Sequence, residues 1–285
     1  MSWDAARPPD DIRISAWGWG RVAVRAALLG ALLLCGLALM LAVRLVERPL
    51  HGLHRPWTPY ITQAVCRLSF VIMGMRHEVQ GAQMTEPGAV VANHASWLDI
   101  FTLNASKRVY FVSKSEVAGW PGIGLLARVT GTVFINRDPR EAKLQQEVFE
   151  ARLLAGHKLL FFPEGTSTDG LRVLSFKPTL FQAFFAPALR ESLYVQPVTV
   201  LYRATPGQSP RFYGWWGDMG FGPHLVKTLA TRRQGCVTVI YHAPLRVADF
   251  EDRKALARAA EAVVRAALPQ DMLAAGAAYD AKLRA

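Results

Sequence analysis

The sequence predicts an α/β fold, with a mixed central sheet flanked by helices and an N-terminal membrane helix. Residues 26–43 form an apolar stretch of 18 positions without a charged side chain, which is typical of a membrane helix. From about Arg76 onwards, short apolar runs alternate with segments of helical period, as in α/β domains. A chain of 285 residues can bury one full-sized core and a small appendage, and the sequence contains no internal repeat.

Composition limits the classes of function. The 285 residues are 51% hydrophobic, and the mean hydropathy of +0.15 indicates contact with a membrane. A formal net charge of +11 indicates an anionic partner, either nucleic acid or an anionic bilayer surface. No helix-turn-helix, RNA-recognition or zinc-finger pattern is present, so a non-catalytic nucleic-acid or membrane-surface protein is only a remote alternative. The three distant cysteines suggest neither a disulfide framework nor a zinc site.

The N-terminal part is predicted to contact the bilayer. Residues 1–20 form an interfacial arm, and residues 21–48 form a membrane-anchoring helix whose apolar run has two arginines on each side. The run covers about 27 Å, enough to cross a hydrocarbon core. A cleaved signal peptide and a buried core helix are the alternatives. Because both flanks are basic, the orientation of this helix stays open.

Residues 49–75 are predicted to be a linker followed by an interfacial helix. Three prolines mark the linker, and residues 61–75 are apolar except for Arg67. This segment is too short to span a membrane, and it lies either in the interface or in the soluble core.

One domain is predicted for residues 76–268, followed by a C-terminal tail at 269–285 that has the composition of a frayed alanine-rich helix. Pro197 demotes its own strand to an edge or irregular one. Helices are predicted at 138–155 and 249–268. The predicted strands are 90–92, 109–112, 132–136, 158–162, 194–202 and 237–241.

The turn after the first of these strands carries a histidine and an aspartate. His94 follows the strand, and residues 96–99 (Ser-Trp-Leu-Asp) have the pattern of a capping box that opens a helix. Positions five apart within one helix do not face each other. Across a turn, however, Asp99 can fold back onto the imidazole of His94. The alternative is that Asp99 only caps its helix and His94 only occupies a loop.

His94, Arg137 and Glu164 each follow a predicted strand, where an open α/β sheet places its ligand crevice. The Gly-x-Ser-x-Gly, His-Glu-x-x-His and glycine-rich phosphate-loop motifs are absent, which disfavours covalent and nucleotide-driven enzymes. The remaining chemistry is a histidine acting as general base on a substrate hydroxyl, with a carboxylate holding its tautomer.

Two motifs together resemble those of the glycerolipid acyltransferases, typified by 1-acylglycerol-3-phosphate acyltransferase. They are Asn93-His94-x-x-x-x-Asp99 and, about 65 residues later, the Phe-Pro-Glu-Gly-Thr of residues 162–166. Between them, residues 131–137 are similar to the family block Gly-x-x-Phe-Ile-x-Arg. The resemblance covers roughly residues 60–205.

The resemblance implies a role for each matching residue. His94 takes the proton from a lysolipid hydroxyl, which attacks the thioester of acyl-CoA or acyl-carrier protein, and Asp99 orients His94. Arg137 binds the anionic head of the acceptor, and an acceptor pocket is formed by Glu164, Gly165 and Thr166. The family uses no metal, no cofactor and no acyl-enzyme. Membership also implies the bacterial inner membrane, with the catalytic domain on the cytoplasmic side.

Two departures from the family pattern concern the acceptor. Ser167 occupies the position of the usual arginine after Glu-Gly-Thr, which removes a phosphate partner, and residues 176–179 lack a glycine after Phe-Lys. The Ser-Thr-Asp-Gly of residues 167–170, with residues 216–219 and 223–225, is similar to the branch that acylates lyso-ornithine lipid. We therefore expect a membrane-bound O-acyltransferase of the 1-acylglycerol-3-phosphate type, with a lyso-ornithine lipid acceptor as the alternative. Donor, chain length and oligomeric state stay open.

Overall fold

A single mixed sheet organises the chain in the computed structural model, which describes residues 13–136 and 142–284. The strands are β1 Arg76–Gln80, β2 Gly88–Ala92, β3 Tyr110–Lys114, β4 Val133–Ile135, β5 Leu159–Phe161, β6 Tyr194–Arg203, β7 Cys236–Tyr241 and β8 Leu245–Arg246. Their order in the sheet is β1-β7-β6-β2-β5-β3-β4, and β8 pairs with β6. Strands β4, β3, β5, β2 and β6 are parallel, whereas β7 is antiparallel to β6 and carries β1 parallel to itself. The predicted mixed sheet is confirmed.

Helices cover both faces of the sheet. The helices are α1 Ala16–His51, α2 Thr58–Met73, α3 Asp99–Ser106, α4 Ile123–Thr130, α5 Ala142–Leu154, α6 Phe221–Ala230, α7 Arg253–Ala266 and α8 Gln270–Arg284. One core lies under α5, α7, α8 and the 3₁₀ helix Pro178–Phe185, and the other lies under α2, α3 and α6. The central strand β2 serves both, because alternate residues point to opposite faces: Ala89 and Val91 to one core, Val90 and Ala92 to the other.

The prediction of an edge or irregular strand at Pro197 is wrong, because β6 is a central strand between β2 and β7. On one side of β6, the pairing with β8 ends at Val195 and the pairing with β7 begins at Val198. The carbonyl of Pro197 accepts from His242 N (3.1 Å) on this side, so its nitrogen faces the same side. Pro197 therefore lies between the part of β6 that pairs with β8 and the part that pairs with β7. At this position the sheet requires no hydrogen bond from its nitrogen.

The N-terminal boundaries differ from those predicted. Helix α1 begins at Ala16, inside the predicted arm of residues 1–20, and Ser15 caps it by accepting from Gly18 N (3.2 Å). Residues 1–12 lie outside the described part. The helix also continues past residue 48 through Pro49 to His51, so the linker of the 49–75 segment is short and α2 begins at Thr58.

Both ends of α1 are bound to the rest of the fold. Near its start, Arg21 and Arg25 donate to backbone carbonyls of residues 229–231 at the end of α6, at 2.6 to 2.8 Å. Cations are favourable at the negative end of a helix. Near its end, Glu47 accepts from the backbone N–H (2.9 Å) and hydroxyl (2.7 Å) of Thr58, which caps α2.

Helix α1 is long and apolar enough to cross a membrane, and only 6% of its most apolar window is buried. This low burial does not fit the alternative of a core helix.

The C-terminal tail predicted at 269–285 is helical, as expected, but it packs against the domain instead of fraying. Helix α8 covers most of it, Met272 is buried, and Tyr279 packs against the core. The preceding helix α7 begins later than residue 249, because the side chain of Asp252 caps it by accepting from Lys254 N and Ala255 N.

Candidate active site

The two motif turns lie side by side because β2 and β5 are adjacent and parallel. His94 follows β2 and Glu164 follows β5, so both lie at the same edge of the sheet. The structure thus brings together His94, Asp99 and Glu164. Arg137, predicted to join them after β4, lies outside the described residues.

Asn93 determines where β2 stops. Its side-chain amide accepts from Val200 N (2.8 Å) and donates to Val200 O (3.0 Å). The side chain thus makes the two hydrogen bonds to β6 that a backbone residue of β2 would otherwise make. Both groups of the buried amide are therefore satisfied, and the main chain is free to leave the sheet at His94.

His94 and Asp99 contact each other across the turn, as predicted. Nδ1 of His94 lies 2.7 Å from Oδ2 of Asp99, and the same oxygen accepts from Ala95 N (2.8 Å) and Ser96 N (3.0 Å). The same carboxylate therefore stabilises the turn through two backbone amides and fixes the orientation of the imidazole. Only one of the two hydrogen bonds of the predicted capping box forms. The carboxylate of Asp99 accepts from Ser96 N, but the buried Ser96 hydroxyl has no partner among the described residues. Helix α3 itself begins at Asp99.

These contacts leave one nitrogen of His94 available. Because Oδ2 of Asp99 already accepts from two backbone amides, Nδ1 of His94 donates to this oxygen and Nε2 presents its lone pair. No described group bonds to Nε2, and the His94 side chain is 20% exposed. Phe162 stacks on the ring with centroids 4.0 Å apart and restricts its rotation. This arrangement suits a general base.

Tyr202 is a site residue that the sequence motifs do not reveal. From β6, its hydroxyl donates to Oδ1 of Asp99 (2.7 Å) and accepts from the hydroxyl of Thr102 (2.9 Å). Burial, and next the charge of Asp99, raise the pKa of Tyr202 well above its usual value, so the phenol stays protonated. Tyr202 therefore positions Asp99 and stabilises its charge.

We expect Tyr202→Phe to shift the pH dependence of the reaction. Without the phenol, negative charge concentrates on Asp99 and favours the imidazolium of His94, so the acid limb of the kcat/KM profile moves to higher pH. Turnover should fall roughly tenfold through the lost hydrogen bond to a charged group. Steady-state kinetics across pH measures both effects.

Tyr241 offers a matched control for this experiment. It is equally buried (4% exposed), lies on the adjacent strand β7, and bonds to Ser106 on the same helix α3 (2.7 Å) without contacting Asp99. Tyr241→Phe should therefore cost similar stability and leave the pH profile in place. Equal shifts in both variants would mean that Tyr202 has only a packing role.

The carboxyl group of Glu164, which the resemblance assigns to the acceptor pocket, is buried beneath the His94 turn. It is 1% exposed, and its two oxygens accept from His94 N and Leu174 N, each at 2.7 Å. Burial raises the pKa of Glu164 to about 8, although the two amide bonds oppose that rise. Glu164 therefore ties the His94 turn to the loop that follows β5.

The loop of Gly165 and Thr166 lies against Lys177. Gly165 has φ +72°, and a Cβ at this position would lie 2.9 Å from Nζ of Lys177, so the position favours glycine. Thr166 is half-buried, with its hydroxyl 3.4 Å from the carbonyl of Ser167. Lys177 is exposed and brings a cation to Gly165, which lies two residues before Ser167 in the sequence.

The Ser-Thr-Asp-Gly variant packs behind His94. Thr168 N donates to the carbonyl of His94 (2.9 Å), and buried Asp169 accepts two hydrogen bonds from Arg172, each of 3.1 Å. His94 is thus held through its amide by Glu164, through its carbonyl by Thr168 and through its ring by Asp99. The variant residues contribute to this framework.

Comparisons with known proteins agree with this geometry. A family model described as Acyltransferase matches residues 76–201. The chain is 59% identical to a lyso-ornithine lipid O-acyltransferase of Rhodobacter capsulatus, covering 94% of this chain and 97% of that one. It is 33% identical to a 1-acyl-sn-glycerol-3-phosphate acyltransferase of Neisseria gonorrhoeae, covering 64% and 69%.

A solved structure supports the fold. The crystal structure of the 1-acyl-sn-glycerophosphate acyltransferase of Thermotoga maritima superimposes with a TM-score of 0.52 at 21% identity, covering 74% of this chain and 78% of that one. The high identity to the Rhodobacter relative over nearly the full length, together with the His94 and Asp99 geometry, leads to one conclusion: this chain belongs to the glycerolipid acyltransferase family.

Proposed function

We propose that the protein transfers a fatty acyl chain from a thioester donor to the hydroxyl of lyso-ornithine lipid. The observation that carries the proposal is the His94 and Asp99 pair, with Nε2 of His94 open to a substrate. Nε2 takes the hydroxyl proton as the oxygen attacks the thioester carbonyl, and Asp99 stabilises the imidazolium. The C–S bond then breaks, and the proton passes from His94 to the thiolate sulfur of the donor. The reaction needs no metal or cofactor.

The acceptor assignment is supported by the residues beside the catalytic turn. An ornithine head group carries a carboxylate and an ammonium in place of a phosphate. Ser167 stands where an arginine would pair with phosphate, and the exposed Lys177 remains to meet a carboxylate. The relative with the larger matched length carries the lyso-ornithine lipid name, which favours the same acceptor. Arg137 is proposed to bind the anionic part of the head.

The experiment compares two acceptors in one assay. We expect purified full-length protein in detergent to transfer a labelled acyl chain to lyso-ornithine lipid with a kcat/KM at least about tenfold above that for lysophosphatidate. A site that matches the ornithine head group binds lysophosphatidate poorly, because the wrong head group leaves polar groups of the site without partners. Supplying the acyl chain on carrier protein or on CoA identifies the donor. Preference for lysophosphatidate would overturn the acceptor assignment, and no transfer to either would overturn the function.

We also propose that the protein is bound to the inner membrane on the cytoplasmic side, with α1 lying along the bilayer surface. Support comes from the exposed apolar stretch of α1 and from the bonds that tie both of its ends to the same domain. A helix that crossed the bilayer would place these two ends on opposite sides. Failure of the full chain to float with lipid vesicles would contradict this placement.

A further inference from the structure

A cationic groove lies between the C-terminal ends of α1 and α4, built from residues outside the His94 site. It has a volume of about 650 Å³, within the range of small-molecule sites. We call it the arginine groove, after its four cationic residues Arg44, Arg48, Arg55 and Arg128.

The positive charge of the arginine groove is largely uncompensated. Arg44 pairs with Glu47 (2.9 Å), but both oxygens of that buried carboxylate are already engaged by the N-terminus of α2. In the described part of the chain, the guanidinium groups of Arg48 and Arg128 have no carboxylate or hydrogen-bond partner. Four cations and one carboxylate leave a formal charge of +3. The groove therefore favours an anion.

The cations also repel one another. Arg55 donates to the carbonyl of Val129 (2.9 Å), while burial, and next the charge of Arg44, lower its pKa. Behind the groove, burial and the charge of Arg55 lower the pKa of Arg152 to about 10. A bound anion would relieve this repulsion.

The remaining walls of the groove identify the kind of anion. Leu41 and Leu45 line it and are 48% and 78% exposed, and they continue the exposed apolar stretch of α1. A ligand that suits both parts carries an anionic group for the arginines and a hydrocarbon chain for the leucines. Guanidinium groups match phosphate by paired hydrogen bonds.

We propose that the arginine groove binds the phosphate head group of an anionic phospholipid in the bilayer against which α1 lies. The inference rests on the proposed membrane placement but not on the identity of the acceptor. A phospholipid supplies both the phosphate and the hydrocarbon chain at this position. Its binding would fix the end of α1 and the start of α2 at the level of the lipid head groups.

The experiment uses full-length protein and flotation with two kinds of vesicle, phosphatidylcholine alone and phosphatidylcholine with phosphatidylglycerol. We expect the wild type to bind the anionic vesicles more tightly. The double variant Arg48→Gln with Arg128→Gln should bind them about thirtyfold more weakly, since each cation near the surface contributes roughly fivefold. The matched control, Lys254→Gln with Arg258→Gln on exposed positions of α7, removes the same charge from residues that do not line the groove and should change binding less than twofold.

Two further measurements distinguish a specific phosphate site from general electrostatic attraction to the membrane, and from a binding site for the acyl donor. Arg48→Lys with Arg128→Lys keeps the charge but loses the paired hydrogen bonds, so we expect about fivefold weaker binding. Wild-type binding by this lysine variant, or an unchanged glutamine variant, would overturn the proposal. A raised KM for acyl-CoA in detergent, with vesicle binding intact, would assign the groove to the donor instead. Acyl transfer in detergent should be unchanged in these variants, which separates failure here from failure of the proposed reaction.

Discussion

Replacing His94 by alanine is expected to lower the turnover number by about 10³-fold or more. General-base catalysis contributes roughly 10² to 10⁴ to such reactions. The lone pair of Nε2 is the only group that the described turn offers to an acceptor hydroxyl, because Asp99 is fully buried and Glu164 is 1% exposed. The measurement is transfer of a labelled acyl chain to lyso-ornithine lipid by the purified variant.

His54→Ala provides the control, since His54 is exposed in the loop after α1 and does not contact the site. This control should keep its activity. Circular dichroism should show that His94→Ala retains the fold, because the contacts that hold the turn run through Asp99 and the backbone. A folded His94→Ala variant with normal turnover would exclude His94 as the base.

Asp99→Asn is expected to lower turnover by roughly 10³ to 10⁴, because it removes the group that sets the tautomer of His94. Asp99 accepts from His94 Nδ1, from two turn amides and from the Tyr202 hydroxyl. An asparagine has one accepting oxygen, so its NH₂ must face at least one of these donors. The clash should also cost about 1–3 kcal/mol of stability.

Acyl-transfer kinetics and thermal unfolding of Asp99→Asn measure the two effects separately. An asparagine caps a helix nearly as well as an aspartate does. Near-normal turnover in this variant would therefore show that Asp99 acts only as a helix cap and has no role in catalysis, whatever the change in stability. A large loss of turnover in a protein that still unfolds cooperatively would establish its catalytic role.

The sequence predicts the centre of the site because two simple rules meet there. One strand ends shortly before His94 and another shortly before Glu164, so both residues come to one sheet edge once the strands are parallel and adjacent. The five-residue spacing from His94 to Asp99 then requires only a turn, and the structure has one.

The rest of the site depends on contacts that have no local signal. Tyr202 lies 103 positions after Asp99 and, in the sequence, is one more aromatic residue of a buried strand. The orientation of Glu164 depends on backbone amides, which every residue except proline offers. Similarly, the central place of Pro197 depends on where two other strands end.

The central claim is that the acceptor hydroxyl attacks the thioester directly, under the control of His94. It is tested most directly by mixing the purified protein with acyl donor in the absence of acceptor and measuring the intact mass of the protein. We predict an unchanged mass, followed by acylated lipid as soon as lyso-ornithine lipid is added. A protein heavier by one acyl chain, formed at least as fast as turnover, would contradict direct transfer.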